Sequence, residues 1–156
     1  MQQAGRTYAM RLDAGAVTQL IDEHFPQVHE GPGKLLVEEL AIGRSTVRLC
    51  ADAAMIRPGG TVSGPVMFKL ADFTIYTALL GHLGDAALQA VTTSMTMNFL
   101  SRPAPADMIA VARLIKVGRR LAVCDVEIYS DGNPDMVAHA TGTYAIPPTP
   151  NQPPIA

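Results

Sequence analysis

Residues 57–84, RPGGTVSGPVMFKLADFTIYTALLGHLG, limit what this chain can fold into more than any other stretch. A glycine-rich turn closes on Ser63-Gly64-Pro65, and the apolar run after it carries Lys69 and Asp72 as its formal charges. Proline is favoured in a first helical turn and glycine just past a last one, so Pro65 and Gly84 bracket one helix over 65–83. At 1.5 Å per residue that helix is roughly 30 Å long. Val66, Met67, Phe68, Leu70, Phe73, Ile75, Tyr76, Leu79, Leu80 and Leu83 point all round it. A helix apolar on every side belongs in a core. A membrane span is excluded: lysine and aspartate near its centre would each cost about 3 kcal/mol in a bilayer, and no second span exists.

Around this helix the chain reads in order. Asp13 caps a first helix near 13–25, with Val17, Leu20, Ile21 and Phe25 at helical spacing and Pro26 ending it. Residues 28–33 read as a loop. Two strands, 34–42 and 45–51, join at Gly43-Arg44, with Val47 and Leu49 on one face. After the long helix come four strand-like runs, 87–100, 107–117, 121–130 and 136–146, joined by SRPAPAD, VGRR and SDGNPD. Short joints imply an antiparallel meander, because parallel neighbours need long crossovers. An antiparallel sheet of five or six strands curled round one long helix is an α+β hot-dog fold. One protomer leaves edge strands and part of the helix uncovered, so a homodimer is expected, with a dimer of dimers as a further step.

At 156 residues the chain reads as one domain over 1–146, followed by a tail at 147–156 that is half proline. That tail is expected to be extended or disordered. A net charge of −2 without a basic run argues against a nucleic-acid partner. The opening MQQAGRTYAM lacks the apolar core of a signal peptide. Cys50 and Cys124 fall in apolar strands without metal or redox spacing, which fits reduced thiols in a cytoplasmic protein without a membrane partner. His24, His29, His82 and His139 form no ligand motif, so no metal is expected.

Asp72 needs an explanation. Lys69, three residues earlier, offers an ordinary exposed pair on the same face. Against this, the helix has no coherent polar stripe: Thr74, Thr77 and His82 fall at scattered angles. Aspartate is a poor residue for a helix interior, and a desolvated carboxylate among apolar side chains is a candidate general base or nucleophile. The helix starts at Gly64-Pro65, where free N–H groups favour developing negative charge. Pro65 donates nothing, so Gly64 and Val66 are the available donors, and Gly64 lets a carbonyl approach closely. Counted with period two, Val91, Thr93, Met95, Met97 and Phe99 share the core face of the next strand, with Thr93 as the hydroxyl in that row. Thr92, Ser94, Thr96 and Asn98 then face solvent.

Ser63-Gly64-Pro65, Leu70-Ala71-Asp72, Val91-Thr92-Thr93 and Met97-Asn98-Phe99-Leu100 together resemble the hot-dog acyl-CoA thioesterases. The nearest type is the phenylacetic-acid-degradation (PaaI-like) one within the 4-hydroxybenzoyl-CoA thioesterase superfamily, over roughly residues 45–146. In that family an asparagine precedes His-Gly-Gly and a Leu-Ala-Asp on the central helix. The resemblance implies Asp72 as base or nucleophile, the Gly64 N–H as oxyanion donor, and Thr93 of the partner protomer, with Thr92 as fallback, holding the water. Arg57 stands at the family's asparagine, Ser63 at its histidine and Pro65 at its second glycine. Those three therefore bear on substrate choice; Ser63 also reads as an ordinary helix N-cap.

Coenzyme A, as part of the substrate and with no separate cofactor, would meet Arg119 and Arg120 at the Gly118 turn, helped by Arg102 and Lys116. Met67, Phe68 and Met95 would form an adaptable acyl pocket or, equally, plain core. The expected function is hydrolysis of an acyl-CoA thioester. A non-catalytic acyl-CoA-binding module is the alternative, and a hot-dog hydratase or dehydratase a weaker one, since no histidine lies near Asp72 in sequence.

Overall fold

The structure is a computed structural model, and it describes residues 8–148. Helix α1 spans Ala14–His24, with the Asp13 side chain accepting from the Ala16 N–H and Val17 and Ile21 buried. Pro26 opens a short 3-10 turn, Pro26–His29, which takes up the start of what the sequence presented as a loop. Strands β1 (Leu35–Ala41) and β2 (Arg44–Leu49) form the first hairpin. Its turn lies at Ile42-Gly43, one residue earlier than expected, because Gly43 takes the left-handed conformation at φ 69° while Arg44 already pairs with Ala41. An unforeseen ribbon follows, β3 (Ile56–Arg57) against β4 (Thr61–Val62). The Gly60 N–H donates to the Arg57 carbonyl to close it, and Gly59 and Gly60 both have positive φ.

Helix α2 runs Gly64–Leu83 and stops at Gly84, whose φ of 69° no other residue type adopts easily. The chain then makes a 3-10 turn at Gly84–Ala87, so the next strand starts at Val91 and not at 87. Strands β5 (Val91–Phe99), β6 (Met108–Val117), β7 (Leu121–Ser130) and β8 (Met136–Ala145) complete one six-stranded sheet in the order β1-β2-β6-β7-β8-β5. Every neighbouring pair is antiparallel. This is the expected hot-dog fold, with the sheet wrapped round α2.

The packing explains how so apolar a helix keeps its hydroxyls. Thr74 Oγ1 donates to the Leu70 carbonyl at 2.6 Å, and Thr77 Oγ1 lies 2.7 Å from the Ser45 hydroxyl. Both threonines are fully buried with their hydrogen bonds made, which removes the desolvation penalty. On β8 the inward row Ala138, Ala140, Gly142 is small, so α2 can approach it. A Cβ on Gly142 would stand 2.6 Å from Ile75 Cδ1.

Strands β1 and β5 are the sheet edges. Val91, Phe99 and the following Leu100 are exposed along β5. Cys50 and Cys124 are free thiols. Among the described residues no helix is long and apolar enough to cross a membrane. Ile146 leaves the sheet with its N–H on the Arg120 carbonyl. Residues 149–156 of the expected proline-rich tail lie outside the described residues.

Candidate active site

Asp72 lies on α2 with two hydroxyl groups converging on one of its oxygens. Thr92 Oγ1 donates to Oδ1 at 2.6 Å, and Tyr144 Oη donates to the same atom at 2.5 Å. Tyr144 Oη is also 2.9 Å from the Asp72 backbone carbonyl. The ordinary pair that the spacing offered with Lys69 does not form; Lys69 Nζ donates instead to the Glu30 carbonyl at 2.8 Å. Among the described residues no donor is placed on Asp72 Oδ2. Tyr144 is buried, and that burial, reinforced by the Asp72 charge and hydrogen bond, pushes its phenol well above the ordinary tyrosine range. It therefore stays a neutral donor at any working pH.

The identity of the threonine differs from the period-two count, and the cause is local. The β5–β8 register slips between Thr92 and Ser94: Thr92 pairs with Tyr144 and Ser94 with Thr143, leaving Thr93 as the extra residue of a bulge. Met95 and Met97 keep their inward direction and pack against the core. Across the bulge the phase reverses, so Thr92 points at the helix, whereas the Thr93 hydroxyl donates to the Thr143 carbonyl at 3.1 Å. Thr92 thus stays exposed, as the count by twos has it, but turns its hydroxyl to the carboxylate, and Thr93 is not in the inward row. Tyr144, which sequence reasoning missed, extends the row of Ala138, Ala140 and Gly142; a phenol at the end of a row of small inward residues was the available signal.

A cleft of about 860 Å³ opens beside Asp72, Thr92 and Tyr144. Phe25 and Val28 reach it from the end of α1 and the turn behind it, Phe73 and Tyr76 from α2, Leu88 and Val91 from the approach to β5. Phe25 and Tyr76 meet edge to face, with centroids 6.1 Å apart at 89°. Tyr76 Oη donates to the Leu88 carbonyl at 2.8 Å, which fixes that wall. Met67, Phe68 and Met95, anticipated as the acyl pocket, do not line this cleft: Met67 is core, Met95 packs against the core beside Gly142, and Phe68 is exposed.

Gly64 begins α2, and a Cβ there would meet Phe99 Cζ at 3.3 Å. Ser63 occupies the N-cap position, but its hydroxyl makes no capping bond. Pro65 lies exposed in the first turn, and Arg57 lies exposed on β3. Gly64 and Asp72 are eight residues apart on one helix, about 12 Å along its axis. Within one protomer they cannot address the same carbonyl carbon.

Arg119 and Arg120 sit in the β6–β7 turn, at the sheet end that carries Tyr144, since Ala145 pairs with both Leu121 and Val91. Arg120 Nε is buried without a hydrogen-bond partner among the described residues. Lys116 is exposed near that same end, while Arg102 is exposed beyond the opposite end of β5. Among the described residues no three histidine, cysteine or acidic side chains cluster as metal ligands.

Comparison with known proteins gives a consistent picture. The profile of the thioesterase superfamily matches residues 59–137. A protein of Saccharolobus solfataricus provisionally named an esterase is 30% identical over 109 residues, covering 70% of this chain and 71% of its own. A crystal structure from Silicibacter sp. TM1040, provisionally named a thioesterase, is 38% identical and superposes with a TM-score of 0.80, covering 92% of this chain and 97% of its own. A variant of the phenylacetic acid degradation protein PaaI from Thermus thermophilus is 28% identical with a TM-score of 0.63, over 72% of this chain and 93% of its own.

Proposed function

Because the chain belongs to the thioesterase superfamily, we propose that it hydrolyses an acyl-CoA thioester to the free acid and coenzyme A. The observation that carries this reading is the Asp72 carboxylate, clamped through Oδ1 by Thr92 and Tyr144 at the side of a cleft with Phe25, Val28, Phe73 and Leu88 among its walls. With Oδ1 held, Oδ2 is the oxygen available for chemistry. It takes a proton from water as the water oxygen bonds to the acyl carbon. The resulting oxyanion collapses, the carbon–sulfur bond breaks, and coenzyme A leaves as a thiolate, a good leaving group at neutral pH. Direct attack by Oδ2, with hydrolysis of the resulting anhydride, uses the same geometry.

The oxyanion donor in this scheme is the Gly64 N–H, and the axial separation requires that it come from a second copy. Along β5, Thr92 marks the Asp72 end and Phe99 the Gly64 end. Antiparallel pairing of two β5 edges across a two-fold would bring the Gly64 end of one protomer to the Asp72 end of the other. Thr92, from the same chain as Asp72, takes the role that the sequence suggested for Thr93 of a partner. The same two-fold would bring Arg102 towards the end where Arg119, Arg120 and Lys116 can meet the phosphates of coenzyme A. Electrostatic stabilisation at Gly64 would supply much of the rate. Two unpaired thiols fit a cytoplasmic setting.

Arg57 and Ser63, standing where the relatives' pattern has asparagine and histidine, favour one second reading, an acyl-CoA-binding module without turnover. Asp72→Asn tested on a panel of acyl-CoAs separates the two. A loss of hydrolysis with binding retained supports the enzyme. Undiminished hydrolysis removes Asp72 from the mechanism, and tight calorimetric binding by the unaltered protein without turnover establishes the module.

A further inference from the structure

We infer that Phe73 is the specificity-determining residue that sets the depth of the acyl pocket, and that the preferred substrate carries an apolar acyl chain ending against its ring. This inference rests on the thioesterase reading above. Phe73 follows Asp72 directly on α2 and lines the 860 Å³ cleft. It also lines a second, separate cavity of about 90 Å³ between α1 and β1, whose other walls include Ile21, Leu35, Leu36 and Val37. Among the described residues it is the side chain common to the linings of these two cavities. The ring is 5% exposed, so it fills the partition between them.

Apolar groups flank the ring on both sides, although His24, Gln27, Lys69 and Gln89 also line the cleft and Thr18 and His29 the far cavity. Val28, Tyr76 and Leu88 stand with Phe73 on the cleft side, and Ile21, Leu35 and Val37 on the far side. A chain that starts at the thioester beside Asp72 and runs inward meets this ring. The far cavity has room for about three water-sized groups at roughly 30 Å³ each. Shortening Phe73 joins the two spaces and lets additional methylene groups enter. The wall on the other flank cannot yield in the same way, because Tyr76 is held by its bond to the Leu88 carbonyl.

The test is the chain-length profile of kcat/KM for straight-chain acyl-CoAs, measured on the unaltered full chain, on Phe73→Ala and on Phe73→Leu. Phe73→Leu keeps most of the apolar volume and guards against loss of the fold in the larger truncation; thermal unfolding checks both. In the unaltered protein kcat/KM should rise with chain length and then stop rising where the chain reaches the ring. In Phe73→Ala the plateau should move out by about two to three carbons. Over that range kcat/KM should gain about fourfold per carbon, the rate equivalent of about 0.8 kcal/mol per buried methylene. Phe73→Leu should move it by a smaller amount. A folded variant whose profile coincides with that of the unaltered protein overturns the assignment to Phe73, while hydrolysis by the unaltered protein leaves the thioesterase reading standing. If the unaltered protein hydrolyses no acyl-CoA, that reading falls instead. Calorimetric affinities for the same acyl-CoA series then decide the role of Phe73 by the same shift.

Discussion

Replacing Tyr144 by phenylalanine removes one oxygen atom and leaves the buried ring in place. The lost group is a donor 2.5 Å from Asp72 Oδ1. A hydrogen bond to a charged group contributes about 1.5–3 kcal/mol. If the carboxylate must be held still to act, that energy appears in the transition state, and 1.36 kcal/mol per factor of ten gives a fall in kcat of about ten- to a hundredfold. KM should change little, since the ring still closes the same wall. Thr92→Val removes the other donor, 2.6 Å from the same oxygen. Thr92 is exposed, so water competes for this bond, and the expected loss is about 1 kcal/mol or roughly fivefold. Either remaining hydroxyl can still orient the carboxylate, so the double variant should lose more than the product of the single losses, with a coupling of about 0.5–3 kcal/mol. Release of free coenzyme A thiol gives kcat and KM, and urea unfolding reports stability separately. Two folded single variants with unaltered kcat, and a double variant that is merely additive, would show that these hydroxyls do not serve the reaction.

Two further expectations concern the fold. Gly142→Ala should lower stability by about 1–3 kcal/mol through overpacking, because its methyl would stand 2.6 Å from Ile75 Cδ1, and Ile75 is fully buried; a urea midpoint that does not fall would disprove the close approach of β8 to α2. Asp107 is held below the usual carboxylate range, first by the Ala51 N–H at 2.6 Å and then by the Arg48 guanidinium. Its folded value lies under its unfolded one, so its contribution is complete above about pH 4 and is lost as pH falls through the folded value. Asp107→Asn should therefore lose less stability than the unaltered chain on acidification below about pH 4, by an amount moderated by solvent at a side chain one-third exposed. Parallel acid limbs would contradict this.

The central helix and the meander were legible because their signals are local: Pro65 and Gly84 at the helix ends, an all-round apolar surface between them, and turn residues between alternating strands. The β3–β4 ribbon was not, since two-residue strands carry no periodicity and its glycines look like any loop. Asp72 stood out as a lone carboxylate, but the groups around it arrive from elsewhere. Tyr144 is 72 residues away, and nothing in β8 alone distinguishes it from a packing tyrosine. Phe25 and Val28 read as the end of an amphipathic helix and a loop, and they become cleft walls when α1 packs against β1 and α2. Counting by twos assumes an unbroken ladder, which the bulge at Thr93 breaks, so it misses that the exposed Thr92 turns its hydroxyl to Asp72.

That bulge has a consequence for how chains of this kind can change. Losing a residue from a strand ordinarily turns everything on one side of the gap to the opposite face. Here the loss would do no such thing. Without Thr93, Thr92 would join Ser94 directly, and the ladder already sets those two against Tyr144 and Thr143. Thr92 would keep its place at the carboxylate, and Val91 its partner Ala145. If all the residues stayed and the bulge straightened from the Ser94 side, Thr93 would fall opposite Tyr144 instead, and a hydroxyl would still face Asp72. Two consecutive threonines therefore act as a spare for one another. A one-residue gap in this segment is neutral for the chemistry, whereas replacing both threonines removes the hydroxyl in either register.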